Sequence, residues 1–208
     1  MIRIITISRQ FGSGGGRIAE HLAARLGWRL VDQSVVHEIA ARAQVAPEIA
    51  AQYDERVDPW FHRIAKALWQ GGYEGTASTI EAVPVDSEAV AALSSRVLLE
   101  AASIGNAVFV GRGAQCLLAR REDAFHVSIY APRKLRLANL RERLPGATNL
   151  EALLEERDRQ RAAYVQRYFS RDWTDRRLYH LMICSSIGID HAVDTILCAA
   201  GLRAPVRA

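Results

Sequence analysis

The run IITISRQFGSGGGR at residues 4–17 constrains the fold of this chain more than any other segment. Ile4, Ile5 and Ile7, with Thr6 between them, form a β-branched run without polar alternation, the pattern of a strand buried on both faces of a parallel sheet. The strand empties into a glycine cluster. After it, Ile18, Leu22 and Leu26 recur every four residues beside Ala19 and Ala23, one apolar helical stripe, and Gly27 suits the helix C-terminus. Strand, flexible turn and helix N-terminus in that order form a loop in which backbone N–H groups converge on an anion at the positive end of the helix dipole. Gly12, Ser13, Gly14, Gly15 and Gly16 are its candidate phosphate contacts. The competing explanation is a turn that is glycine-rich only because it packs tightly. The pattern G-x-x-x-x-G-K-[ST] is not fulfilled, since both lysine and hydroxyl are missing.

At 208 residues the chain is sized for one domain with room for an inserted subdomain, and 50% hydrophobic with 24% charged residues is an ordinary globular composition. No apolar run reaches membrane-span length, and the N-terminus reads as a strand rather than a signal peptide. Cys116, Cys184 and Cys198 are scattered and odd in number, neither a disulfide framework nor a metal-ligand spacing; a cytoplasmic location is expected. The histidines show no H-x-x-x-H or mixed Cys/His spacing either. Lysine is confined to Lys66 and Lys134, so the net charge of +4 is carried by arginine. Residues 120–177 hold fourteen basic and nine acidic residues, a surplus larger than that of the whole chain. Arginine suits bidentate phosphate contacts. With no aromatic-interleaved basic stripe or zinc knuckle, nucleic acid is not an expected partner, nor is a membrane.

Further along, β and α patterns alternate. A short strand over 29–31 ends at Asp32, and helices follow over 35–43, after Pro47, and over 57–68 with Trp60, Ile64 and Leu68 on one face. Residues 71–84 read as a loop. Asp86 or Ser87 caps a helix running to about Ser103, with Val90, Leu93, Val97 and Leu98 inward. A strand over 107–110 opens onto Gly111-Arg112-Gly113, where close backbone approach and a guanidinium can clamp a phosphate; the alternative is a surface arginine in a turn. A strand over 125–130, a basic helix to Arg143, a long charged helix over 150–168, a last strand over 178–184 and a helix over 189–199 complete the chain. Five strands separated by helices imply a doubly wound α/β fold with a five-stranded parallel sheet and helices on both faces. Right-handed crossovers then bring the glycine loop, Asp32, Arg112 and the residues after Cys184 to one rim.

The order of these segments resembles the cytidylate kinase-like family within the P-loop nucleoside monophosphate kinases. The resemblance rests on ITISRQFGSGGGRIAEHLAARLGW, LVDQ, FVGRG, and RDRQRAAYVQRYFSRDW followed by LYHLMI, and covers nearly the whole chain. It implies a three-layer P-loop NTPase-type fold with a core (1–32, 106–149, 174–208), a helical acceptor-binding insert (about 33–105) and an arginine-bearing lid (about 150–173). It also implies ATP as donor, Mg²⁺, and a nucleotide or small phosphorylated metabolite as partner. Residue by residue, Gly12, Ser13, Gly14 and Gly15 become the donor-phosphate cradle, and Arg112, between Gly111 and Gly113, holds the acceptor phosphate. Asp32 lies near the reacting phosphates, and Arg157 with Asp158 opens the lid's arginine-aspartate motif.

Several positions depart from the family pattern. Aligned on Gly14, the usual lysine falls on Gly15 and the metal-binding hydroxyl on Gly16; Val110, Gly113 and Tyr164 replace an acidic residue, a base-reading aspartate and a lid arginine. A lost lysine must be replaced, because phosphoryl transfer is catalysed by positioning and charge neutralisation. Arg17 is the nearest candidate in sequence; Arg9, Arg161 and Arg167 are others. The metal ligands stay open, with Asp32 and substrate oxygens as one solution. Two functional readings follow: a phosphotransferase resembling a (d)CMP kinase, with Arg17, Asp32, Arg157 and Arg161 as catalytic candidates, or a degenerate module that senses a nucleotide or phosphate without turnover.

Overall fold

The computed structural model describes residues 1–32 and 88–202. The helices expected over 35–43, after Pro47 and over 57–68, the loop over 71–84 and the Asp86 or Ser87 cap lie outside the described residues, as do the side chains of Val90 and Leu93. The elements are β1 (Ile4–Arg9), α1 (Gly15–Leu26), β2 (Arg29–Val31), α2 (Glu88–Ile104), β3 (Ala107–Val110), α3 (Ala114–Leu117), β4 (Ala124–Tyr130), α4 (Arg133–Arg143), α5 (Leu150–Phe169), β5 (Leu181–Cys184) and α6 (Ile189–Ala199). The strands form one all-parallel sheet in the order β2-β3-β1-β4-β5. This is the expected α/β architecture.

Strand alternation sorts side chains onto two faces. Ile5, Ile7, Val108, Val110, Val127 and Ile129 pack with Ile18 and Leu22 of α1 and with Val193 and Ile196 of α6. Ile4, Val31, Ala107 and Phe109 point the other way, onto Leu98, Ala101 and Ala102 of α2 and Ala114 and Leu118. Ile4, Ile5 and Phe109 have no exposed surface, as a strand covered on both sides requires. Val97 and Leu98 are buried as expected, and Gly27 closes α1 in a left-handed conformation with its N–H on the carbonyls of Ala23 and Ala24.

Two local expectations change. The last strand begins at Leu181 rather than Leu178, because Asp175 caps a 3-10 turn at Arg176–Leu178 by accepting the Arg177 N–H. The segment after Gly113 forms the short helix α3, which carried no periodicity long enough to announce it. One polar cluster lies inside the second face: Thr6 Oγ1 and His126 Nδ1 are 2.9 Å apart on paired positions of β1 and β4, and the His126 ring stacks on His180.

Candidate functional site

The five glycine-loop residues do not share one role. Gly12 has φ +75°, and a Cβ there would lie 2.8 Å from the carbonyl oxygen of Arg136 in α4. The loop backbone is held from the same helix: Arg136 Nε donates to the Phe11 carbonyl at 2.7 Å and Asn139 Nδ2 to that of Gly12 at 2.8 Å. Gly15 is equally confined, since its Cβ would meet the Cβ of Arg9 at 2.6 Å. Gly14 and Gly16 differ, with no atom within 4 Å of where a Cβ would stand. Gly14 is the left-handed N-cap of α1, which has no side-chain cap and no acidic residue in its first turn. The positive end of α1 is therefore not neutralised from within the helix, as an anion site requires. Tight packing accounts for Gly12 and Gly15; Gly14 and Gly16 keep their space open. Ser13 is buried, and its Oγ has no hydrogen-bond partner.

The parallel topology brings the ends of three adjacent strands together beside this loop. Arg9 closes β1, Asp32 follows β2, and Gly111-Arg112-Gly113 follows β3. That tripeptide runs through consecutive left-handed residues, with φ of +76°, +54° and +67°. Its conformation disfavours any other residue at the flanks, and holding Arg112 in it costs about 1–2 kcal/mol. Arg9 crosses from β1 to this turn: a Cβ on Gly111 would lie 1.9 Å from Arg9 Nη1. Burial, followed by the charge of Arg161, pushes the Arg9 guanidinium well below the ordinary arginine range; Asp32 opposes this and Arg112 adds to it. Arg9 thus feels two further arginines and one carboxylate.

Arg161 arrives from α5, donating from Nη1 to the Arg9 carbonyl at 2.8 Å and lying over the Phe11 ring. Its guanidinium is likewise pushed down, first by burial, with Asp158 opposing. Asp158 is the anchor of α5. Its Oδ1 accepts the Phe11 N–H at 2.7 Å, and its Oδ2 pairs with Arg136, both side chains being largely buried. Leu154 and Leu150 of α5 pack with Leu137 and Leu140 of α4 and with Phe11. Beyond the helix, Trp173 Nε1 donates to Ser8 Oγ at 2.7 Å, and the Tyr179 hydroxyl donates to the Trp173 carbonyl at 2.8 Å.

Two family departures acquire physical reasons here. A Cβ on Gly113 would stand 2.1 Å from the Phe169 ring, so the aromatic end of α5 occupies the space of any side chain at 113. Tyr164 packs with Tyr168 and Phe169; burial raises its phenol, and the nearby Arg112 acts against that rise. The position of a lid arginine is thus taken by a tyrosine whose hydroxyl meets Arg112. Beside Phe169 a cavity of about 540 Å³ opens, lined by Arg120, Arg171, Asp175 and Arg177, the last two ion-paired.

Of the sequence candidates, Asp32, Gly111, Arg112, Gly113 and Arg161 gather with the glycine loop. Arg17 is exposed on the first turn of α1, and Arg157 is exposed and donates to Gln160. Arg167 is exposed, over Tyr168. Arg136 and Asn139 escaped the sequence reading; their only signal was a position beside Leu137 and Leu140, on a helix otherwise read as basic surface. Among the described residues no three His, Cys, Asp or Glu side chains form a group able to hold a metal ion. Asp32 is the carboxylate at the strand ends, Asp158 being engaged by Phe11 and Arg136, so a divalent ion there needs ligands from the nucleotide and water.

No curated relative matches the chain by sequence. Its fold is similar to that of an uncharacterised protein from Eubacterium ventriosum ATCC 27560, at TM-score 0.68 and 21% identity over 98% of this chain and 100% of that one. It is also similar to shikimate kinase from Bacteroides thetaiotaomicron (0.55, 14% identity, 97% and 100% covered) and to a gluconokinase from Sinorhizobium meliloti 1021 (0.53, 13%, 96% and 92%). These likenesses show a fold shared with small-molecule kinases. The model of the cytidylate kinase-like family matches residues 4–187, so this chain, with its five parallel strands and glycine loop, belongs to the cytidylate kinase-like family.

Proposed function

We propose that this protein is an ATP-dependent phosphotransferase of the nucleoside monophosphate kinase type, moving the γ-phosphoryl group to a nucleoside monophosphate or a similar small acceptor. The observation that carries the proposal is the gathering of Arg9, Arg112 and Asp32 at adjoining strand ends beside the glycine loop, with Arg161 brought onto the Arg9 carbonyl from α5. The charges of Arg161 and Arg112 both act against the charged form of Arg9, and an incoming anion would relieve that repulsion. A phosphoryl group in transfer carries its charge on equatorial oxygens that such donors neutralise. In this reading Gly14 and the first turn of α1 hold the donor phosphates, Arg112 the acceptor phosphate, and Arg161 the group between them. Helix α5, with the segment to residue 173, is the lid. An acceptor oxygen attacks the γ phosphorus; the bond from phosphorus to the bridging oxygen breaks, and that oxygen keeps the electron pair on ADP.

The chemistry of the site fits a divalent cation through Asp32 together with phosphate oxygens and water, and bound Mg²⁺ would supply further charge neutralisation.

The test offers the purified protein CMP, dCMP, UMP and other small acceptors with ATP and Mg²⁺. Diphosphate or another phosphorylated product is expected; none above background with any acceptor overturns the proposal. The glycines at 15 and 16 favour a second reading, a nucleotide sensor without turnover. Calorimetry separates the two, since tight ATP binding without product belongs to the sensor.

A further inference from the structure

Arg9 occupies the first position of the sequence R-Q-F-G-S-G-G, where the common phosphate-loop pattern G-x-x-x-x-G-K has its first glycine. Its last residue, Gly15, stands where that pattern has lysine. The two positions have exchanged character, and the packing shows why the exchange is coupled. A side chain leaving residue 15 would start 2.6 Å from Arg9 Cβ, 3.1 Å from Arg9 Cγ and 3.3 Å from Ile129 Cβ. Real Cβ atoms essentially never approach another atom that closely, and Arg9 Cβ cannot swing aside because it is fixed to the β1 backbone. Residue 15 can therefore carry a side chain only if residue 9 does not.

The far end of Arg9 is placed as tightly. Its Nη1 fills the space next to Gly111, which leaves no room for a Cβ there. The guanidinium thus lies against the turn after β3, within electrostatic reach of Asp32 and Arg112. The Arg9 carbonyl is held by Arg161. Its side chain leaves β1 against Gly15 at the start of α1 and ends against Gly111.

We infer that Arg9 is a catalytic residue that takes the place of the missing phosphate-loop lysine, reaching the γ-phosphoryl group from the first loop position rather than the seventh. This deepens the phosphotransferase reading and rests on it. Arg9 would donate N–H groups to γ-phosphoryl oxygens in the ground state and more strongly as charge develops in transfer; it neither gains nor loses a proton. Arg17, exposed on α1, is then not needed for this role.

The test combines substitutions at both positions. Arg9→Met should lower turnover at least about 100-fold, the range for removing one preorganised donor to a transition state. Arg9→Lys should recover part of the loss. By calorimetry, Arg9→Met should weaken ATP binding at least tenfold more than ADP binding, a ratio that a general packing defect would not move. Gly15→Ala should lower the unfolding midpoint of the otherwise unchanged protein and have little effect beside Arg9→Gly; the double variant R9G/G15K should regain activity over R9G. The inference is overturned by Arg9→Met turnover within threefold of the parent, by equal losses of ATP and ADP affinity, or by Gly15→Ala being tolerated with Arg9 present. If the parent protein binds ATP without turnover, the phosphotransferase reading fails, and the ATP-to-ADP ratio still decides whether Arg9 contacts the γ-phosphate. If it does not bind ATP, both fall.

Discussion

Asp158 is where α5 and the glycine loop are joined, and its removal should have a calculable effect. Replacing it by alanine leaves the Arg136 guanidinium, 8% exposed, without its carboxylate, and leaves the Phe11 N–H without its acceptor. Breaking one side of a buried ion pair costs about 3–5 kcal/mol, and a buried N–H left unpaired about 1–3. The two losses share one carboxylate in one network, so they do not add, and about 3–5 kcal/mol is the whole expected effect. In a domain of this size each kcal/mol lowers the midpoint by roughly 2–4 °C, so Asp158→Ala should unfold roughly 6–20 °C below the parent in thermal melts followed by circular dichroism. Asp158→Asn retains an oxygen for Phe11 but loses the charge facing Arg136, and should cost about 1.5–3 kcal/mol, the value of a charged hydrogen bond. The order parent, asparagine, alanine is the signature of a carboxylate doing both tasks. An alanine midpoint within about 2 °C of the parent, less than about 1 kcal/mol, would mean that the carboxylate contributes nothing to stability.

Arg112→Ala should weaken binding of a nucleoside monophosphate by about 1.5–3 kcal/mol, measured by calorimetry, while the urea midpoint changes little; unchanged affinity with marked unfolding would assign Arg112 to the scaffold. Acid should destabilise the protein through His126, which burial and then the charge of His180 push down from 6.5 to about 4, the Leu118 carbonyl opposing. The folded state keeps the ring neutral while the unfolded chain takes a proton, so stability is full above pH 6.5 and falls as pH drops toward 4. The loss amounts to up to about 3 kcal/mol. Urea titrations at pH 7 and pH 4.5 check this, with His126→Gln, which keeps a polar group beside Thr6, expected to show a shallower pH dependence than the parent.

Much of the fold was legible because buried parallel strands and their covering helices write their periods directly into the chain. Ile4 to Ile7 and the Ile18–Leu22–Leu26 stripe are examples, and both occupy the expected elements. The start of β5 was not legible. Leu178 belongs to the apolar pattern, but the Asp175 side chain, capping the 3-10 turn, outcompetes strand pairing there. Within the site, the strand-end positions Asp32 and Arg112 could be located from topology alone, since right-handed crossovers put every strand C-terminus on one edge.

A glycine loop between a buried strand and a helix, the absence of its usual lysine and the reliance on arginine for positive charge are all local properties of the chain, readable without coordinates. The sequence could not say which glycine is open and which is filled, because that depends on atoms distant along the chain. The Arg136 carbonyl, from α4, confines Gly12, and the Phe169 ring, from α5, confines Gly113. The choice among arginines was likewise tertiary. Arg17 is nearest to the missing lysine in sequence, yet a helix turns it outward, whereas Arg9 is carried inward because a strand end and a side-chain-free Gly15 leave it that path. Chain proximity sets which residues are candidates; the direction in which each backbone element points its side chains decides which of them reach the site.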